Sequence, residues 1–216
     1  ESFEYPERWA KLHAGRKIPE PDSLHENVDK SSPRLKGMHY SSMYDPKSPK
    51  PYYLKYENAL PSKSNDPKKR RSIAYQHMIH KYVRCITGND DNLKRVLDYL
   101  DQEKLTEDTV VVYTADQGYW LGQHGFYDKR LILETSVRMP FLIRYPRLIK
   151  PGSVNSDLCI NVDLAPTLLE LAGVKAPDAM QGHSLVPLLK GETPPGWRQS
   201  QFYSYWGAPN HYGVRT

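Results

Sequence analysis

The sequence predicts an α/β fold in which a mostly parallel sheet is flanked by helices, with part of a small antiparallel subdomain following it. Three observations carry this. "TVVVYTA" (109–115) and "PFLIRYP" (140–146) are β-branched and aromatic runs bounded by polar or proline-containing segments, as strands buried on both faces require. Apolar residues recur at helical spacing before the first run and after the second. Two further short strand-like runs close the chain.

Taken in order, residues 1–71 form a loop-rich segment of Pro, Ser, Lys and Tyr with almost no periodicity, a pattern expected to wrap over a neighbouring core. The basic run "DPKKRRS" (66–72) reads as a solvated loop. Residues 72–182 carry the α/β pattern. "SIAYQHMIHKYVRCI" puts Tyr75, Met78, Ile79, Tyr82, Val83 and Ile86 on one helical line and Ile73, His77, His80 and Arg84 on another. After Gly88, "DDNLKRVLDYLDQEK" repeats the pattern through Leu93, Val96, Leu97 and Leu100, with acidic residues at its start where a helix dipole favours them. "VDLAPTLLELAGV" predicts a helix capped by Asp163, with Pro166 in its first turn and Gly173 closing it. Residues 183–216 read as a linker, "HSLVPLLKGETPPGWR", followed by strands at "SQFYSYW" and "HYGVRT".

Composition narrows the function. A chain of 216 residues with 38% hydrophobic residues, 18 Pro and 16 Tyr supports one domain, or one and part of another, with a modest core. The net charge of +5 admits anionic partners, yet no helix-turn-helix, zinc-finger or RNA-binding signature is present, so nucleic acid is not an expected partner. No apolar run approaches the ~20 residues of a membrane span, and no membrane partner is expected. Cys85 and Cys159 have no CxxC spacing, which excludes a zinc knuckle.

The chemistry concentrates in "TADQGYWLGQHGFYDKR" (114–130). In α/β sheets ligands bind beyond the carboxyl ends of strands, which is where Asp116 and Gln117 fall. A carboxylate and an amide offer only oxygen, a donor set for calcium or magnesium and not for zinc. The competing reading makes Asp116 a helix cap and Gln117 a solvated loop residue. Lys129, one loop further on, could neutralise an anion bound by that metal, with Gly118, Gly122 and Gly125 letting the backbone crowd the anion. Equally, "DKR" suits an exposed turn of mixed charge. The residues alone leave both readings open.

"VVVYTADQGYWLGQHGFYDKRLILETSVRMPFLIRYP" resembles the second half of the sulfatases, members of the alkaline phosphatase-like superfamily. The resemblance runs over roughly residues 72–216, and "WRQSQFYSYWGAPNHYGVRT" is most similar to the branch holding N-acetylglucosamine-6-sulfatases and other glycosaminoglycan or mucin sulfatases. It implies a hydrolase of sulfate monoesters on sulfated carbohydrate. Asp116 and Gln117 match a pair of calcium ligands, with magnesium an alternative. Lys129 matches the catalytic lysine that contacts the sulfate. His124 would line the pocket, and His211 would contact the sugar. His77 and His80 receive no role.

The sequence departs from the family where the nucleophile should be. Sulfatases convert the Cys or Ser of Cys-x-Pro-x-Arg to formylglycine; Cys85 is followed by "ITG" and Cys159 by "INV". The first metal-binding Asp pair is missing too, since Asp90 and Asp91 lie on the helix before the strand. Half a site is therefore expected here, with formylglycine upstream, and the chain is expected to be a fragment inactive by itself. The family suggests a secreted, periplasmic or lysosomal setting. Two rivals stand beside this reading: a metal-dependent phosphodiesterase or phosphatase of the same superfamily, against which Gln117 argues because those relatives place His there, and a non-catalytic module binding acidic glycans.

Overall fold

A computed structural model of the chain describes residues 3–26, 64, 66–207 and 210–216. They form two compact units, one of residues 1–98, 118–130 and 135–137, the other of 99–117, 131–134 and 138–216. The expectations placed on residues 27–63 lie outside the described residues.

The first unit is organised by one helix, α1 (Pro67–Gln102). Asp66 caps it through Oδ1, which accepts the Lys68 N–H at 2.9 Å, and Pro67 takes the first helical position, where no N–H is needed. The basic run read as a loop is therefore the first turn of this helix. The expected break at Gly88 is also corrected: the helix runs through it. Gly88 is buried because a Cβ there would lie 2.9 Å from the Pro6 ring, so the glycine serves a close approach and not a stop. The acids expected to start a second helix are thus mid-helix, and Asp91 instead accepts hydrogen bonds from Arg8 Nη2 at 3.0 Å and Trp9 Nε1 at 3.1 Å.

Residues 3–26 form a strap running antiparallel along α1. Successive contacts show the register: Leu12 O takes a bond from Arg84, Arg16 O from His80, and Pro19 O from Tyr75 Oη at 2.6 Å. Gln76 bonds Ile18 through both its amide atoms, and Arg71 donates to Leu24 O at 3.0 Å. The strap thus satisfies backbone carbonyls that have no strand or helix partner. Its end drives Leu24, 0% exposed, into a core with Ala74, Tyr75, Met78, Ile79 and Tyr127. Tyr75, Met78 and Ile79 of the predicted apolar line of α1 form this buried face with Tyr82 and Val83 packed against it, whereas Ile86 and, further on, Val96 stay exposed. A two-residue hairpin, β2 (Trp120–Leu121) with β3 (Tyr127–Asp128), completes the unit.

In the second unit β1 (Val111–Thr114) and β4 (Phe141–Arg144) are the predicted strands, but they pair antiparallel, Val111 opposite Arg144 and Thr114 opposite Phe141. This corrects the expectation of parallel neighbours; every ladder among the described residues is antiparallel. A parallel pair needs a crossover spanning the sheet, and the one helix between these strands, Glu134–Val137 (α2), is a single turn. β4 also alternates in exposure instead of being buried on both faces. The α/β character stands, as helices and strands both build the described residues.

Helix α3 (Leu164–Leu171) lies where the sequence placed it, and Gly173, at φ +71°, donates to Glu170 O to close it. The stretch read as a linker contains helix α4 (Val186–Leu189), with Leu185, Val186 and Leu188 buried. Thr167 Oγ1 joins α3 to α4 by accepting the Leu185 N–H at 2.8 Å. The last two predicted strands are present as β5 (Gln201–Tyr205) and β6 (His211–Arg215), paired antiparallel. No helix among the described residues is long and apolar enough to cross a membrane.

Candidate active site

Asp116 follows the end of β1 in the second unit. Its side chain is exposed and that of Gln117 half-buried. Neither side chain takes a hydrogen bond or ion pair among the described residues, so a carboxylate and an amide oxygen remain available. The backbone beneath them is fixed, because Asn161 Nδ2 donates to Asp116 O at 3.1 Å.

That asparagine sits in a 3-10 turn, residues 161–163, secured by the fully buried Asp163. The sequence predicts Asp163 as the cap of α3, and it does stand at that position. Its side chain makes no capping bond to the helix. Oδ1 accepts the His183 N–H at 2.9 Å and Oδ2 the Ile160 N–H at 2.9 Å. The Arg198 guanidinium straddles both oxygens at 2.7 and 2.9 Å. Burial alone would raise this carboxyl, but the Arg198 bonds and the two backbone N–H groups outweigh it and hold it below the usual aspartate range.

The residues present fit a hard cation in part. Oxygen donors suit calcium, which takes about six to eight of them, and Asp116 with Gln117 supplies two. Among the described residues no three His, Cys, Asp or Glu side chains gather into a metal-binding group. Neither cysteine suits a nucleophile: burial pushes both thiols up, and Cys85 Sγ donates to Glu4 O at 3.3 Å.

His124 and Lys129 belong to the first unit, on the loop of the β2–β3 hairpin and just beyond it. The loop closes on itself, Gly122 N–H bonding Phe126 O at 3.0 Å and Gly125 N–H bonding Gly122 O at 2.9 Å. Two of its glycines serve a close approach. A Cβ on Gly122 would meet the Tyr75 ring at 2.7 Å, and one on Gly125 would meet Arg71 and Leu24 O at 3.0 Å. The missing side chains admit α1 and the strap. Gly118 donates its N–H to Ser136 O at 2.8 Å.

His124 itself adopts a left-handed backbone, φ +55°, held by two strap residues: its N–H bonds Ser23 Oγ at 3.0 Å and its Nδ1 meets Glu26 Oε2 at 2.5 Å. Lys129 lies between two more residues of positive φ, Asp128 at +71° and Arg130 at +111°. The Asp128 carboxylate faces both cations, 3.6 Å from Lys129 Nζ and 3.0 Å from Arg130 Nη2. Non-glycine residues in this region cost energy and cluster where function fixes the chain.

His211, in β6 of the second unit, accepts the Ile132 N–H on Nε2 at 3.1 Å and packs on Tyr205 at 5.0 Å. That nitrogen is committed to a backbone bond. His77 and His80 are half-buried on α1. Sequence reasoning missed Ser23, Glu26, Asn161 and Arg198, whose partners lie 101, 98, 45 and 35 residues away.

The family model for the C-terminal part of N-sulphoglucosamine sulphohydrolase matches residues 122–216. An N-acetylglucosamine-6-O-sulfatase of Bacteroides thetaiotaomicron is 44% identical over 153 residues, covering 67% of this chain and 27% of that protein. The N-acetylglucosamine-6-sulfatase of Bos taurus is 32% identical over 65% of this chain and 26% of its own length. A protein solved in complex with its substrate D-glucosamine-2-N,6-O-disulfate superposes with a TM-score of 0.83 at 29% identity, over 99% of this chain and 52% of the other. The chain thus spans about a quarter of the curated relatives it matches. These matches meet the resemblance read in the sequence from both sides, in sequence and in fold: the chain belongs to the sulfatase family, within the alkaline phosphatase-like superfamily, and carries its C-terminal part.

Proposed function

We propose that the full-length protein hydrolyses sulfate monoesters on amino sugars of the glucosamine 6-sulfate class. The observation that carries this is the likeness over 99% of the chain to a protein solved with a disulfated glucosamine. Supporting it is the pair of uncommitted oxygen donors after β1, a set compatible with calcium and, second to it, magnesium. When bound, such an ion supplies Lewis-acid neutralisation of a sulfate oxygen. Asp116 and Gln117 hold it from this chain. Lys129 donates to the sulfate oxygens, neutralising the charge they already carry, or to the leaving sugar oxygen, on which charge builds as the S–O bond breaks. His124 lines the sugar pocket and His211 borders it, while the formylglycine nucleophile comes from sequence outside this chain.

Desulfation of glucosamine 6-sulfate by the full-length protein tests the reading. Lys129→Ala and Asp116→Ala should each lower kcat/KM at least about tenfold, or ~1.4 kcal/mol. Near-normal turnover by either variant would falsify the assignment, as would turnover by the 216-residue chain alone.

A further inference from the structure

We infer that Glu26, on the N-terminal strap, is a positioning residue that sets the tautomer and direction of the His124 ring and leaves its Nε2 for the sulfated sugar. The inference rests on the sulfatase reading for its ligand and on the first unit alone for its geometry. An ionised carboxylate only accepts hydrogen bonds, so the 2.5 Å contact between Glu26 Oε2 and His124 Nδ1 requires the proton on Nδ1. The other nitrogen then points away from Glu26, and the His124 side chain remains 40% exposed.

Three further constraints leave the ring little freedom. Ser23 Oγ fixes the His124 N–H, the loop on either side is fitted to Tyr75, Arg71 and Leu24 O through Gly122 and Gly125, and Trp120 packs edge-on against the imidazole at 5.8 Å. Glu26 is itself anchored, since Arg71 Nη1 donates to its carbonyl at 3.4 Å and to Leu24 O at 3.0 Å. A histidine that only filled space would need neither an αL backbone nor a carboxylate partner. An imidazole oriented through one nitrogen and open at the other is instead the usual arrangement of a ring that meets a ligand.

Long-range 1H–15N imidazole spectra of the full-length protein test this without any variant. His124 should be protonated at Nδ1, and Glu26→Ala should produce a mixture of tautomers. With glucosamine 6-sulfate as probe, Glu26→Ala and His124→Ala should each lower kcat/KM about tenfold, and the double variant should fall no further than His124→Ala. An unprotonated Nδ1 in the wild type overturns the inference, and so do losses that multiply in the double variant or a Glu26→Ala loss with the tautomer unchanged. Wild-type protein that shows Nδ1–H yet desulfates no sugar overturns the sulfatase reading and, with it, the assigned ligand. The two failures are therefore told apart by the spectrum.

Discussion

The loop of residues 118–130 and the turn beneath Asp116 both hold candidate chemistry, and they are held by different forces. The loop backbone is secured mainly by shape, with Glu26 holding the His124 ring: Gly122 and Gly125 leave no Cβ where Tyr75 and Arg71 press in, and His124, Asp128 and Arg130 accept left-handed backbones. The turn is secured by charge: Asn161 steadies the Asp116 carbonyl, and its own position depends on Asp163 and Arg198, 0% and 11% exposed in their side chains. The two should therefore fail under different insults. Added volume should damage the first, and lost charge or low pH the second.

The largest expected effect breaks the charged support. Arg198→Met leaves a buried carboxylate without its cation and should destabilise by about 3–5 kcal/mol in denaturant unfolding. The pH dependence follows from the sign of the Asp163 shift. Its folded pKa is depressed, so its contribution is present above the ordinary aspartate value and is lost as pH falls through the folded value. Wild-type Tm should therefore drop more steeply than that of Arg198→Met as pH is taken from ~7 to ~3; parallel curves would remove Asp163 from the acid response.

Next comes a volume change in the other region. Gly122→Ala adds a Cβ into the Tyr75 ring at φ +97° and should cost about 3 kcal/mol by thermal or denaturant melting. Unlike Arg198→Met, its cost should be the same at neutral and mildly acidic pH. A pH-dependent cost would show that the Glu26–His124 contact, and not shape, secures the loop backbone.

Asp116→Ala separates support from chemistry. The side chain is exposed and uncommitted, so Tm should hold within the scatter of surface substitutions while kcat/KM falls by the tenfold or more given above. A matching fall in Tm would make Asp116 part of the scaffold. The smallest effect expected is that of Lys94→Ala, which removes an exposed i,i+4 pair with Asp98 on α1, far in sequence from either region. It should cost about 0.4 kcal/mol. A larger loss would mean that surface charge matters generally and would blur the contrast.

Elements whose outcome is decided by neighbours along the chain are legible in the amino-acid sequence. Periodicity placed α3 and the apolar face of α1, β-branched and aromatic runs placed β1 and β4, and short aromatic runs placed β5 and β6, because side-chain direction in a regular element depends only on spacing. The same local logic failed at Gly88, where intrinsic preference argued for a break and the Pro6 ring, brought up by the strap, made glycine the residue that fits. It failed at "HSLVPLLKGETPPGWR" because Pro and Gly suggest a linker, whereas burial of Leu185, Val186 and Leu188 favours a helical turn.

The α/β class and the family are legible in the amino-acid sequence, which also offers Asp116 and Gln117 as candidate oxygen donors and Lys129 as the candidate anion contact. Motif and period are both written in adjacent residues. Long-range packing is what sets β1 and β4 antiparallel, fits the loop glycines against α1 and the strap, brings Ser23 and Glu26 to His124, and sets Asn161, Asp163 and Arg198 beneath Asp116. Those contacts join residues 35 to 101 positions apart. Contacts of that kind depend on which surfaces meet once the core has closed, and no local pattern encodes which ones will.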